Sequence, residues 1–300
     1  MILRLALVLC VFMLTPAAPT SSGAKEVVGA LSFVREGFVY VLSINAGSPQ
    51  KLGPGHAPHL SPNGNLVVYT VSLGWKDRII AVIDLETGDA KMFALPQRLL
   101  QWDAQWSPDG KFLACQGYDK EKSSGRPVLL DPKTGEWLSL PAAGEAKDLH
   151  FSSWRPDGKA ILAHDMHTLF QIDLTGRIVH SVSIRDINDG SVASSCRFLI
   201  SPDGSTLIFD DIALPDAETF PQSEAIYAYS LGDKKLLRLT PKGLHATDPM
   251  WLNPGVEIIF TGGVAGEGPN LYRLSLSRPK PVCIMRNAEE GAVARRPEQR

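Results

Sequence analysis

The feature that most constrains this chain is one turn that recurs at a nearly fixed interval. Five segments align: Leu60-Ser-Pro-Asn-Gly64, Trp106-Ser-Pro-Asp-Gly110, Trp154-Arg-Pro-Asp-Gly158, Ile200-Ser-Pro-Asp-Gly204 and Trp251-Leu-Asn-Pro-Gly255. Their glycines are 46, 48, 46 and 51 residues apart. Pro presets φ at the first central position of a turn, Asp or Asn bonds back to nearby backbone, and Gly accepts positive φ. The same turn chemistry repeated along a chain is architecture. The aspartates are therefore read as turn formers rather than as catalytic groups or metal ligands.

Each turn is followed by a strand-like run: Leu66–Tyr69, Phe112–Cys115, Ala160–Ala163, Thr206–Phe209 and Glu257–Phe260. A second run follows after a variable loop and ends in a polar turn, as Ile79–Leu85 does before Glu86-Thr87-Gly88. A shorter third run, such as Ala90–Ala94, closes each unit. The N-terminal stretch has the same unit without its beginning: Ala30–Val34 and Phe38–Ile44 are split by Arg35-Glu36-Gly37. Short strands at a period in the forties are the signature of propeller blades, whose small sheets must stack radially to bury both faces. The expected fold is all-β, a six-bladed β-propeller with Gly64, Gly110, Gly158, Gly204 and Gly255 as structural turns. The first blade needs completion by Lys25–Val28 or by the C-terminal segment. The residue before each turn, Trp or aliphatic, is expected to wedge between neighbouring sheets.

The ends have their own reading. Met1–Arg4 carries one positive charge, Leu5–Leu14 is almost wholly apolar, and Ser22-Gly23-Ala24 supplies small residues before Lys25. That is the layout of a secretory signal peptide, and its apolar run is too short to span a bilayer comfortably. The expected organisation is a signal over 1–24, a propeller over 25–287 and a polar tail over 288–300, with no transmembrane segment once the signal is removed. A secreted, periplasmic or cell-surface location follows. Lys and Arg number 30 against 32 Asp and Glu, so no nucleic-acid or anionic-membrane partner is called for. Cys115, Cys196 and Cys283 remain after the signal, an odd number that leaves at least one thiol unpaired within the chain. Cys115 and Cys283 lie in apolar runs and are expected to behave as small buried hydrophobes.

Trp106-Ser-Pro-Asp-Gly-Lys111 resembles the WD-like repeat of the TolB-type propeller family, and the resemblance extends over about residues 27–286. TolB-type proteins carry an α/β domain before their blades. Here the blades begin almost directly after the signal, so the resemblance is confined to the propeller. It implies an envelope or extracellular binding module.

Motifs of catalysis are mostly missing from the sequence. There is no Gly-x-Ser-x-Gly elbow, phosphate-binding loop, Cys-x-x-Cys pair or His-Glu-x-x-His. Gly262–Gly268 is glycine-rich but falls between two strands of the last blade, where a hairpin loop belongs. The histidines offer a sharper candidate. His56 and His150 lie eight residues before their turn glycines, and His245 lies ten before its own, all in alternate units. Around a pseudo-threefold axis three imidazoles suit a Zn²⁺- or Mn²⁺-like ion with an open position. The arrangement broadly resembles oligogalacturonate lyases, propellers that carry a His-bound metal. The alternative is that these are unrelated loop residues.

Trp102, Asp103, Arg197 and Asp248 occupy the same pre-strand region and give the channel mouth mixed charge and aromatic character, suited to a peptide or a sugar. His59 invites no separate role, and His164-Asp165-Met166-His167 reads as a solvated turn. Tyr118–Pro127 and Asp210–Glu224 read as long loops on the face of the pre-strand histidines, where binding residues concentrate. The function that emerges is a non-catalytic exported module that binds a protein or cell-envelope polymer through this long-loop face. The competing one is a metal-dependent polysaccharide lyase or hydrolase that uses the histidines. No cofactor is implied beyond that metal.

Overall fold

The computed structural model describes residues 27–43, 47–73, 77–94, 99–119, 121–140, 148–188, 190–212, 224–253, 255–264 and 266–296. The expected signal at 1–24 lies outside them. The chain forms six four-stranded antiparallel sheets, the blades of a propeller. Blade 1 takes β1 (Val27–Arg35), β2 (Phe38–Ser43) and β3 (Gln50–Pro54) from the N-terminal part. Blade 2 is β4 (His56–Leu60), β5 (Leu66–Ser72), β6 (Arg78–Asp84) and β7 (Ala90–Phe93). Blade 3 is β8 (Leu99–Trp106), β9 (Leu113–Asp119), β10 (Ser124–Leu130) and β11 (Trp137–Ser139). Blade 4 is β12 (His150–Trp154), β13 (Ala160–His164), β14 (Thr168–Asp173) and β15 (Ile178–Ser183), followed by one turn of helix, α1 (Arg185–Asn188). Blade 5 is β16 (Leu199–Ile200), β17 (Thr206–Ile212), β18 (Glu224–Ser230) and β19 (Lys235–Arg238). Blade 6 is β20 (His245–Asn253), β21 (Glu257–Gly263), β22 (Asn270–Ser275) and β23 (Arg278–Arg286), after which β24 (Glu289–Arg296) returns to blade 1.

That return corrects the expectation of a polar tail from residue 288. β24 pairs antiparallel with β1, from Val27↔Arg296 to Val34↔Glu289, and supplies the inner strand that the N-terminal unit lacks. Gly291, Ala292 and Ala294 are buried and Val293 packs on the cluster between blades 6 and 1, the short apolar run of a strand covered on both faces. Charged residues at the end of a chain read as a frayed tail, but the ring needs this strand to close.

The turns are as expected. Gly64, Gly110, Gly158, Gly204 and Gly255 have φ of 75°, 70°, 68°, 75° and 66°. In each of the Ser-Pro turns the serine hydroxyl bonds the Asn or Asp carboxyl or amide oxygen, as Ser107 Oγ does to Asp109 Oδ1 at 2.7 Å and Ser201 Oγ to Asp203 at 2.5 Å. Lys111 N donates back to Asp109 Oδ1 at 3.1 Å. A Cβ at Gly110 or Gly158 would meet only a proline Cδ at an ordinary 3.6 Å. Backbone strain, not crowding, therefore sets the cost of a β-branched residue there. Gly110→Val and Gly158→Val are each expected to lose about 1–3 kcal/mol of stability, measured as a lowered urea midpoint. An unchanged midpoint in both would mean the turns relax out of that conformation.

The core consists of six apolar clusters, one in each gap between neighbouring blades. Trp106 packs with Val68, Ile80 and Val82 of blade 2, Trp154 with Ala114 and Leu129 of blade 3, and Trp251 with Ile208 and Ile226 of blade 5. Leu60 joins the gap between blades 1 and 2, where Val34, Val39 and Ala294 meet it. The residues before the turns are thus the wedges expected from the sequence. Cys115 is buried as expected, whereas Cys283 is exposed on β23, the outer strand of its blade. Edge strands carry apolar residues outward, and a cysteine among them is no more covered than its neighbour Val282.

Candidate functional site

Antiparallel order makes the two ends of the ring unequal. On one face every inner strand begins and every second and fourth strand ends, so the second-to-third and fourth-to-first links all lie there. We call it the entry face. The opposite face carries the Ser-Pro-Asp-Gly turns and the short third-to-fourth turns such as Asp131–Glu136.

At the entry face the inner strands are bulged. The residue seven positions before each turn glycine is Ala57, Asp103, Phe151, Arg197 and Asp248 in blades 2 to 6. Glu290 is its counterpart on β24. Four of these six depart from strand conformation with positive φ: Ala57 at 49°, Asp103 at 66°, Asp248 at 52° and Glu290 at 52°. Register shifts mark the same places, between His56 and His59, Trp102 and Gln105, and Thr247 and Met250. A bulge frees a residue from the ladder and re-aims its side chain, here into the channel mouth.

Each freed N–H needs an acceptor, and the chain supplies most of them from the second strand of the preceding blade. Thr70 Oγ1 accepts from Asp103 N at 3.1 Å, Gln116 Oε1 from Phe151 N at 2.5 Å, Asp210 Oδ2 from Asp248 N at 3.0 Å and Thr261 Oγ1 from Glu290 N at 2.8 Å. Asp210 Oδ1 also accepts from Arg197 N at 2.9 Å, and Glu290 Oε2 accepts from Ala57 N at 2.6 Å. His164 occupies the equivalent place in blade 4, where its Nε2 meets Cys196 O at 2.9 Å. His164 is therefore a fully buried peg on β13 and not part of a solvated turn. Only Asp165–His167 behave as that turn, with Asp165 Oδ1 accepting from His167 N and Thr168 N.

The ring encloses one guanidinium among carboxylates. Arg197 Nη2 lies 2.6 Å from Asp103 Oδ1 and 3.8 Å from Asp248 Oδ1. Burial works against the Arg197 charge, but Asp103, Asp248, Asp210 and Glu290 together hold its pKa above the ordinary value. Burial raises the Asp103 pKa while Arg197 opposes the rise. Burial, reinforced by Asp248, pushes Asp210 up to about 7 against the pull of its two N–H donors. Burial likewise pushes Glu290 up to about 7. His59 sits one layer deeper, accepts from Trp106 N through Nδ1 at 3.4 Å, and is pushed down to about 4 by burial and by Arg197. The space left between Ala57, Pro58, His59, Asp103, Arg197, Asp248, Met250 and Glu290 is a cavity of about 20 Å³. That is room for a water molecule and not for a sugar ring.

Of the residues expected at the channel mouth, the structure brings Asp103, Arg197 and Asp248 together. Trp102 lies between blades 2 and 3, its ring 5.1 Å from the Arg78 guanidinium and 6.4 Å from Tyr118. The three histidines are held apart. His56 is exposed at the start of β4, His150 stacks on His164 at 5.3 Å with Asp148 3.6 Å from its Nε2, and His245 accepts from Glu224 N at 3.1 Å. Among the described residues no group of three His, Cys, Asp or Glu side chains is arranged to hold a metal ion. All three stand at the start of an inner strand, but the side chains of His150 and His245 turn to local partners.

The long loops also differ from expectation. Tyr118–Pro127 is mainly β9 and β10, paired as Tyr118↔Gly125 and Gln116↔Pro127, with only the tip between Asp119 and Ser124 unpaired. Asp210, Asp211 and Ile212 belong to β17 and pair with Ile226, Ala225 and Glu224, so the loop reduces to residues 213–223, outside the described residues. Gly262 and Gly263 end β21, and the rest of that glycine-rich stretch leads to β22, as expected.

Sequence reasoning missed Asp210, Glu290 and the role of His59. A usable signal existed for the first. Counting six residues past each turn glycine gives Thr70, Gln116, His164, Asp210 and Thr261, a polar residue near the end of an otherwise apolar run every time.

The fold and this plugged mouth define a closed six-bladed β-propeller whose polar channel entrance is locked by an ion pair. Its architecture is of the TolB type. TolB from Acinetobacter baumannii is similar with a TM-score of 0.67 at 17% identity, over 89% of this chain and 66% of that chain. A protein assigned as TolB from Agrobacterium tumefaciens is similar with a TM-score of 0.59 at 15% identity, over 89% of this chain and 98% of that one. An oligogalacturonate lyase in complex with manganese is similar with a TM-score of 0.55 at 18% identity, over 83% of this chain and 70% of that chain. The chain thus spans just under two thirds of the Acinetobacter protein. By sequence it matches no family profile and no curated protein.

Proposed function

We propose that this chain is an exported binding propeller that meets a protein or cell-envelope ligand through its entry face. The observation that carries the reading is the contrast between the two faces. The described links on the turn face are short turns. The entry face holds the β9–β10 hairpin tip and the link between β15 and β16, and β17 and β18 also end and begin there at Ile212 and Glu224. Variable links on one face of a rigid ring are where such scaffolds carry recognition. The narrow channel supports a surface contact rather than an enclosed substrate. TolB-like neighbours fit an envelope setting, and the apolar leader fits export.

The test replaces residues 213–223 by a Gly-Ser segment of equal length and compares capture of envelope components with that of the parent chain. Thermal stability is expected to be unchanged, because the flanking Ile212↔Glu224 pair still closes the hairpin. Capture is expected to fall severalfold. Equal capture by this variant, together with loss on charge reversal of Lys111 and Lys159 on the turn face, would move the contact to the other end of the ring.

A further inference from the structure

The link from β15 to β16, residues 184–198, is the longest between blades, and it lies on the entry face. It is built in rather than slack. Ile184, Ile187, Val192, Cys196 and Phe198 are buried in the gap between blades 4 and 5. Ile184 N donates to His167 O at 2.8 Å and Val192 N to Met166 O at 3.1 Å, so the link is laced at two points to the β13–β14 turn. Asn188 donates to the Asp211 carboxylate, which ties α1 down onto β17. Beside these lacings lies a cleft of about 480 Å³, lined by His167, Ser183, Arg185, Gly190 and Ser191.

The chemistry of that lining is one-sided. Arg185 brings a guanidinium, His167 an imidazole, and Ser183 and Ser191 hydroxyls, and none of the lining residues is a carboxylate. Among the described residues none of these four side chains has a hydrogen bond or an ion pair of its own. Asp186 follows Arg185 on α1 but makes no ion pair with it. Asp165 accepts from two N–H groups of its own turn, and Asp211 from Asn188. Three arginines elsewhere on the ring are paired, Arg155 with Asp157, Arg197 with Asp103 and Arg273 with Glu257. An arginine left without a carboxylate, on a rigid frame and among hydroxyl donors, is arranged for an oxyanion that comes from outside.

We propose that this cleft binds the anionic end of a ligand, a carboxylate or phosphate group, with Arg185 as the charged contact and Ser183, Ser191 and His167 as donors around it. The cleft is far larger than one such group, so the ligand carries an uncharged body as well. The proposal rests on the entry face being the binding face and gives that face a ligand chemistry.

The test titrates the purified protein with inorganic phosphate and, separately, with acetate, against sodium chloride at equal ionic strength. Backbone amide resonances of Gly190 and Ser191 and the ring resonances of His167 report the cleft. A saturable shift confined to these residues is expected with at least one of the two anions, and which anion produces it names the group. Arg185→Gln is expected to bind about tenfold more weakly or worse, the loss of one charged hydrogen-bond donor, with an unchanged melting temperature because Arg185 is exposed and unpaired. No saturable shift with either anion, the same shift with sodium chloride, or an identical titration by Arg185→Gln would each overturn the proposal. The capture experiment on residues 213–223 is untouched by any of those results, so the two readings fail separately.

Discussion

Ending the chain at Asn287, which removes β24, is expected to abolish cooperative folding rather than to weaken it. β24 is the inner strand of blade 1, and its loss opens the ladder edge of β1 along Val27–Val34. It also uncovers two gaps at once. Ala294 seals the cluster between blades 1 and 2, and Val293 packs on the cluster between blades 6 and 1 that holds Leu31, Phe33 and Leu271. The Glu290 carboxylate that accepts from Ala57 N goes as well. A domain is stable by only about 5–15 kcal/mol, and a ring whose blades each lean on two neighbours cannot lose one contact surface without exposing the next. Far-UV circular dichroism during heating should show no sharp transition, and limited proteolysis should cut between blades. A sharp melt from the truncated chain would mean the ring is stable while open. A milder variant probes the same seam: at Gly291 a Cβ would sit 3.0 Å from both Leu271 methyls and 3.2 Å from Ile259 Cδ1. Gly291→Leu should therefore fold with a loss of about 1–3 kcal/mol through overpacking.

This closure was half legible. The N-terminal unit visibly lacked its first strand, so some other segment had to supply it. The C-terminal segment was one of two candidates for it, but the bounds Glu289–Arg296 did not announce themselves, because that strand lacks the Pro- and Gly-bearing turn that marks every other inner strand. A chain that closes its ring with its own end needs no hairpin there, and the most informative local signal disappears at the position where closure happens. The 184–198 link stayed hidden for a related reason. The interval from Gly158 to Gly204 is an unremarkable 46 residues, because the two-residue β16 and the short β13–β14 turn offset the long link. A repeat interval sums its parts and conceals how they are divided.

The channel mouth was legible by residue type and not by partner. Asp103, Arg197 and Asp248 share one position relative to their turns, which placed them at one height around the axis. Asp210 was read as the start of a loop because acids and prolines follow it, yet it is buried and pairs with Ile226. Its two oxygens satisfy two bulge amides at once, a demand that appears only when neighbouring blades are brought together. The histidines failed in the opposite way. Their spacing was right for a ring, but an imidazole at a strand end meets its nearest partner first: Glu224 for His245, and Asp148 with His164 for His150.

Arg197→Met is expected to cost about 3–5 kcal/mol near neutral pH, the range for leaving one member of a buried ion pair uncompensated, reduced somewhat because the Arg197 side chain keeps 22% of its exposure. The cost should depend on pH with a definite sign. In the parent protein Asp210 and Glu290 are raised to about 7 from 3.8 and 4.5, so their contribution to stability is full below about pH 4 and is lost as pH rises through 7. His59 and His164 are lowered to about 4 from 6.5, so their contribution is full above 6.5 and is lost as pH falls toward 4. The two trends oppose each other over the shared interval and keep the parent profile shallow. Among the described residues Arg197 is the cation that draws the Asp103, Asp210 and Glu290 pKa values down, so removing its guanidinium lets those three rise further. The variant should then be nearest to the parent at pH 5, where protonated carboxyls no longer repel one another, and furthest from it at pH 8. Urea unfolding at those two pH values reads the difference directly. A gap of equal size at both would assign the loss to packing of the arginine stem rather than to its charge. A gap that widens toward acid would reverse the sign and place the uncompensated charge on His59.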